Sequence, residues 1–224
     1  TDSKTKISVT ELKKRSHIVL EEDAVAQEER FAKEKESIVP AFMRTEQVQE
    51  NRGALRGSAV HKIMEEVDFI RSSQSEDRMA DICAQIEHML SQQRITQEMK
   101  ELADVRMIGK FLESPLAARM AVAQQKGELY KEQPFVMGIP ASAIYEEGSD
   151  QLVLIQGIVD VYWPEDGQLV ILDYKTDAVT KETQLTERYR MQLDLYAQAL
   201  HKATGKKIKE KLIYSFSLHK TVKV

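Results

Sequence analysis

Cysteine is nearly absent from this chain: Cys83 is the only one in 224 residues. No disulfide can form within it, and its own side chains cannot build a thiolate-rich metal cluster. A reducing cytoplasm fits that composition. Long apolar runs are missing too, since nothing approaches the roughly 18 apolar residues of a membrane span. The N-terminus carries Lys4, Lys6 and Lys13 among polar residues and has no apolar stretch, so it is no secretory signal. A basic excess is also lacking. With 32 Lys and Arg against 36 Asp and Glu the net charge is -4, which argues mildly against a general nucleic-acid coat protein. It leaves room for an enzyme with an acidic metal site and a local basic groove. There is no internal repeat and no Gly-x-x-x-x-Gly-Lys-Ser/Thr loop, so the segment carries no ATP site.

What remains reads as globular, 42% hydrophobic and 30% charged, with length for one large domain or two small ones. The chain opens at Thr1 rather than Met and is read as a segment cut from a longer product. Residues 7–14 read as a short strand or turn entering a helix, with Ser8 or Thr10 as cap. Residues 21–53 are charged, poorly periodic and interrupted by Pro40, and read as an extended connector. We therefore place a boundary near residue 55, with an N-terminal segment over 1–55 and a domain over 56–224.

After Gly57, the residues Val60, Ile63, Met64, Val67 and Ile70 recur at helical spacing. A second helix is expected over 75–93, one or two more over 95–113, and another from the Ser114-Pro115 start signal to about Gln124. Beyond Gly127 the texture turns strand-like, with candidates at 129–137, 143–145, 153–162 and 168–174. Pro164-Glu165-Asp166-Gly167 reads as the turn joining the last two. A long helix over about 186–203, ended by Gly205, and a final strand over 208–218 complete the chain. The expected class is α/β (α+β-like): a helical part over 56–126, then a sheet core over 127–224.

The chemistry concentrates where two apolar runs each end in an aspartate, Asp160 and Asp173. Asp173 and Lys175 stand at i and i+2 of a strand, so they share a face, and a hairpin would bring Asp160 beside them. The bland alternatives are solvent-facing strand ends and a surface ion pair of Lys175 with Asp173 or Asp177. Paired carboxylates suit Mg²⁺, Mn²⁺ or Ca²⁺, and an ammonium beside them suits work on a phosphate. His61 and Glu65 share one helix face, and an imidazole ligand would bias the site towards Mn²⁺ over Ca²⁺. Arg188, Gln192 and Tyr196 lie along one face of the long helix. They would hold a DNA phosphate or orient Lys175. Glu132, beside Gln133 on the first strand, ranks last as a further acidic ligand or supporting partner.

Together these residues resemble the RecB-like branch of the PD-(D/E)XK nuclease superfamily. The branch shows Gly-x-x-x-His, Gly-x-x-Asp, Asp-x-Lys and Gln-x-x-x-Tyr in that order, and the chain supplies Gly57 with His61, Gly157 with Asp160, Asp173 with Lys175, and Gln192 with Tyr196. Residues 8–13 and 172–177 are similar to the C-terminal nuclease domains of the A subunits of AddAB-type helicase–nucleases. The resemblance implies a restriction-endonuclease-like fold, a central mixed sheet flanked by helices. It implies that His61, Asp160, Asp173 and the main-chain carbonyl of Tyr174 surround a metal, Mg²⁺ in the first instance, with Lys175 catalytic. It also implies single-stranded DNA from an unwound duplex as substrate, a helicase motor in the same parent chain, a B-type partner subunit, and a bacterial, nucleoid-associated setting. Some relatives carry a four-cysteine iron–sulfur cluster, which a single cysteine excludes here; the A-subunit type lacks it. The rival readings are a non-catalytic DNA-binding or scaffolding module and a free-standing recombination exonuclease.

Overall fold

The computed structural model describes residues 6–8, 43–140, 142 and 151–224. The expected cap at Thr10, the part of the connector over 21–42 and the strand over 143–145 lie outside the described residues. A short strand β1 (Lys6–Ser8) precedes a long helix α1 (Met43–Glu66) and five shorter ones: α2 (Phe69–Gln74), α3 (Arg78–Ser91), α4 (Gln97–Leu102), α5 (Val105–Leu112) and α6 (Pro115–Gln125). Strands β2 (Tyr130–Pro140), β3 (Leu152–Glu165) and β4 (Gln168–Lys175) follow, then helix α7 (Glu182–Thr204) and strands β5 (Ile208–Ser215) and β6 (Lys220–Lys223). No helix among the described residues is long and apolar enough to cross a membrane.

The short helices begin where the sequence supplies caps. Side chains of Asp68, Asp77, Thr96, Asp104 and Ser114 each accept a hydrogen bond from a first-turn amide, satisfying donors that have no partner inside the helix. Pro115 at the first helical position of α6 costs nothing, because that amide would be unpaired anyway. Residues 43–53 of the expected connector are helical instead, and α1 runs unbroken through residue 55. Gly57 is consequently mid-helix rather than at a helix start. The long C-terminal helix starts a turn before Thr186, because the Gln184 side chain accepts the amides of Thr180 and Lys181 at 3.0 Å each.

The six strands form one mixed sheet in the order β1-β3-β4-β5-β6, with β2 paired to β3. β3 and β4 join through Asp166-Gly167, both at positive φ (52° and 76°). That is the requirement of a two-residue type I′ hairpin. The strand expected over 208–218 ends at Ser215, where the chain turns and returns antiparallel as β6, a strand not expected from the sequence.

Both faces of β4 are covered, as its continuous apolar run demands. On one face Val170, Leu172 and Tyr174 pack with Val60, Ile63 and Met64 of α1 and with Ile108 and Phe111 of α5. On the other, Leu169 and Ile171 pack with Leu185 and Leu193 of α7. Each such buried side chain contributes about 1.5–3 kcal/mol. Arg119 of α6 braces the layers, donating to Glu165 of β3 and Glu210 of β5.

Candidate metal centre

β3 is longer than any of its partners on one edge. β2 occupies its other edge along nearly the whole length, so β1 and β4 must share what remains. β1 pairs at Leu154–Gln156 and β4 from Val161 onward, and Gly157–Asp160 lies in the gap between them. Asp160 is therefore not a strand end, as its position after an apolar run suggested, but the first residue past the β3–β4 ladder. Its carboxylate reaches across instead: Oδ2 accepts the Tyr174 amide at 2.8 Å. On β2 the register places Glu132 opposite Asp160, between the pairs Lys131–Val161 and Gln133–Val159. Glu132 has φ 47°, a left-handed conformation uncommon for a non-glycine residue.

His61 comes to this gap from α1. A Cβ on Gly57, one turn earlier, would stand 3.1 Å from Thr176 Oγ1, so the glycine lets α1 close on the end of β4. His61 then lies with Nε2 3.0 Å from the Tyr174 carbonyl oxygen and Nδ1 3.4 Å from Asp160 Oδ2. One ligand atom each from His61, Glu132 and Asp160 fall within 4.8 Å of one another. One imidazole, two carboxylates and an adjacent backbone carbonyl make an oxygen-rich donor set that fits Mg²⁺ or Mn²⁺. Glu132, ranked last from sequence, belongs to this group. Glu65 does not join it; its carboxylate takes the Lys62 ammonium at 2.7 Å.

Asp173 and Lys175 project together, as their spacing requires, on the α7 face of β4. Lys175 Nζ is 3.1 Å from Asp173 Oδ2, and Gln192 donates to Asp173 Oδ1 at 3.1 Å. The same Gln192 amide donates to the Tyr196 hydroxyl oxygen. Burial, followed by the nearby Asp173 and Asp160 carboxylates, pushes the Tyr196 hydroxyl well above its ordinary pKa, so it stays protonated. Asp177 accepts the Tyr189 hydroxyl at 2.9 and 3.0 Å, with Arg188 4.0 Å away. The Tyr189 ring lies 4.1 Å beneath the Lys175 ammonium. Sequence reasoning passed over Tyr189, although it stands three and seven residues before Gln192 and Tyr196, on the same helix face. The site thus has two halves, the donors of His61, Glu132 and Asp160 and the Asp173–Lys175 pair, joined at Tyr174.

This arrangement sits on a chain that belongs to the PD-(D/E)XK nuclease superfamily, whose sequence pattern matches residues 28–223. Within it, the chain is similar to the A subunit of the ATP-dependent helicase/nuclease of Acetivibrio thermocellus, 36% identical over 219 residues and 94% of this chain. The corresponding protein of Lachnoclostridium phytofermentans is 35% identical over 84% of the chain, and that of Clostridium beijerinckii 33% over its full length. The chain spans only 16–18% of the length of these relatives.

Proposed function

We propose that this chain is the metal-dependent DNA nuclease domain of a bacterial helicase–nuclease, cutting single strands delivered by a motor elsewhere in the same parent protein. The setting is the processing of double-strand-break ends for recombinational repair in the cytoplasm, together with a B-type partner subunit. The observation that carries the reading is the convergence of His61, Glu132, Asp160 and the Tyr174 carbonyl one residue from the Asp173–Lys175 pair.

In this reading His61, Asp160, Asp173 and the Tyr174 carbonyl hold Mg²⁺, with Glu132 as an added carboxylate. A bound divalent cation supplies Lewis acidity to the phosphate and lowers the pKa of a coordinated water. Asp173 already receives Gln192 and Lys175, but carboxylate oxygens have about four lone-pair sites in all, which leaves capacity for an ion. Lys175, held by Asp173 and the Tyr189 ring, presents its ammonium to the charge that builds on the phosphate. Tyr196 and Gln192 keep Asp173 in place, and Arg188 offers a cation for the strand's backbone. Every one of these residues lies in the segment 56–224 assigned to the nuclease domain.

The test is cleavage of end-labelled single-stranded DNA by the chain with Mg²⁺ or Mn²⁺. Lys175→Ala and Asp160→Asn are expected to cut at least about 100-fold more slowly with unchanged circular dichroism. Undiminished cutting by either variant, or cutting that survives chelation, would overturn the assignment. Equal cutting of blunt duplex and single strands would overturn the substrate class.

A further inference from the structure

We propose that Lys131 is a positioning residue of the metal centre: it fastens β2 to the C-terminal end of the His61 helix and thereby aims Glu132 at His61 and Asp160. The inference rests on the metal-centre reading above and adds to it a residue that touches none of the reacting groups.

It begins with side-chain alternation. Successive strand residues point to opposite faces, so positions of equal parity share one face. On β2, Phe135, Met137 and Ile139 pack on the α7 side. Lys131 has the same parity, yet its ammonium lies on the opposite side, 4.7 Å from the Phe69 ring centroid among the N-terminal helices. β3 changes in step. Ile155 and Val159 face α7, whereas Val161 and Trp163 face the helices. Both strands thus invert at one level, that of Glu132 and Asp160, and the left-handed backbone of Glu132 marks the inversion.

A non-glycine residue in that conformation costs of order 1 kcal/mol or more and persists only where its surroundings hold it. Lys131 supplies that hold. Its ammonium donates to the carbonyls of Glu65 and Val67 at 2.9 and 2.6 Å. These are end-of-helix carbonyls of α1, the kind that lack intrahelical donors. From the other side of the kink, Gln133 donates its side-chain amide to the Lys131 carbonyl at 2.9 Å. Glu132 is clamped between a tie to α1, four residues beyond His61, and a tie within its own strand. The helix that brings the imidazole and the strand that brings the carboxylate are fixed to each other by one side chain.

The experiment measures Mn²⁺ binding by calorimetry on the full chain, without DNA, beside thermal melting. Lys131→Met keeps the length over Phe69 and removes the donors. We expect it to weaken Mn²⁺ binding by about 10-fold or more, in the range typical of groups that orient metal ligands. Lys131→Arg restores donors and should recover most of the affinity. In a Glu132→Gln background, Lys131→Met should cause little further loss, because its effect passes through Glu132. A lowered melting temperature with unchanged Mn²⁺ affinity would make Lys131 merely structural and overturn the proposal. Equal weakening by Lys131→Met in both backgrounds would overturn it as well. Should Lys131→Met fail to fold, Lys131→Gln, whose shorter side chain carries a neutral amide in place of the ammonium, decides on the same readout. Failure of the unmodified chain to bind Mn²⁺ would remove the metal centre itself; normal binding by a folded donor-less variant removes only the role of Lys131.

Discussion

Lys175 is held from two directions, by the Asp173 carboxylate at 3.1 Å and by the Tyr189 ring at 4.1 Å. A cation over an aromatic face that is partly removed from water gains about 1–2 kcal/mol. Tyr189→Leu is therefore expected to slow single-turnover cleavage roughly 5- to 30-fold at saturating metal. Tyr189→Phe keeps the ring, gives up the hydroxyl bonds to Asp177, and should lose distinctly less. Equal losses from the two variants would show that the ring does not position the lysine. The Asp173–Lys175 pairing was legible in the sequence because strand parity alone fixes it. Tyr189 was not, since cation–ring contact depends on where a distant helix docks. Glu132 was underrated for a related reason: ordinary alternation gives no hint of a kink, and only its φ of 47° explains how it joins His61 and Asp160.

Among the elements, α1 matters most, because it delivers His61 to a sheet it does not pair with. Gly57 sets the distance. With a Cβ there only 3.1 Å from Thr176 Oγ1, the larger, branched side chain of Gly57→Val crowds the end of β4 and is expected to shift α1 against it. Misplacing a catalytic group by about 1 Å can cost on the order of 100-fold in rate. We expect a loss of that size in cleavage with helix content preserved, and Gly57→Ala to fall between; wild-type rates for Gly57→Val would contradict the close-approach role. The capping serine of α6 provides a contrast in stability without chemistry. Ser114→Ala should lower unfolding free energy by about 1 kcal/mol in denaturant titration while leaving kcat unchanged. Helix starts such as Ser114-Pro115 and the Asp166-Gly167 turn could be read from local residues, since their chemistry is local. The helix over residues 43–53 could not, because charged, aperiodic residues give no sign of one. The end of β5 at Ser215 was hidden likewise, since Phe216 and Leu218 extend its apolar look through the turn that leads to β6.

For the whole molecule, the central fact is that β4 is buried on both faces and carries a different half of the site towards each. The family resemblance implied a sheet flanked by helices, and the four spaced motifs pointed to the site. Their meeting at a gap in β3 pairing follows from strand order, which no local pattern encodes. The layers are tied by charge as well as by core. Hydrogen bonds from Arg119 first, then Lys209 and Trp163, lower the Glu165 carboxyl from 4.5 to about 2. Because the folded value lies below the unfolded one, Glu165 stabilises the fold above pH 4.5, and that contribution is lost as pH falls towards 2. Denaturation midpoints should decline over that interval, and Glu165→Gln should flatten part of the decline; an unchanged acid profile would discount the brace. The proposed chemistry depends above all on the metal centre, and anomalous diffraction from crystals of the chain soaked in Mn²⁺ addresses it directly. The expected result is a peak bounded by His61, the carboxylates of Asp160 and Asp173, the Tyr174 carbonyl and the added carboxylate of Glu132. A peak elsewhere, or none at Mn²⁺ concentrations that support cleavage, would contradict it.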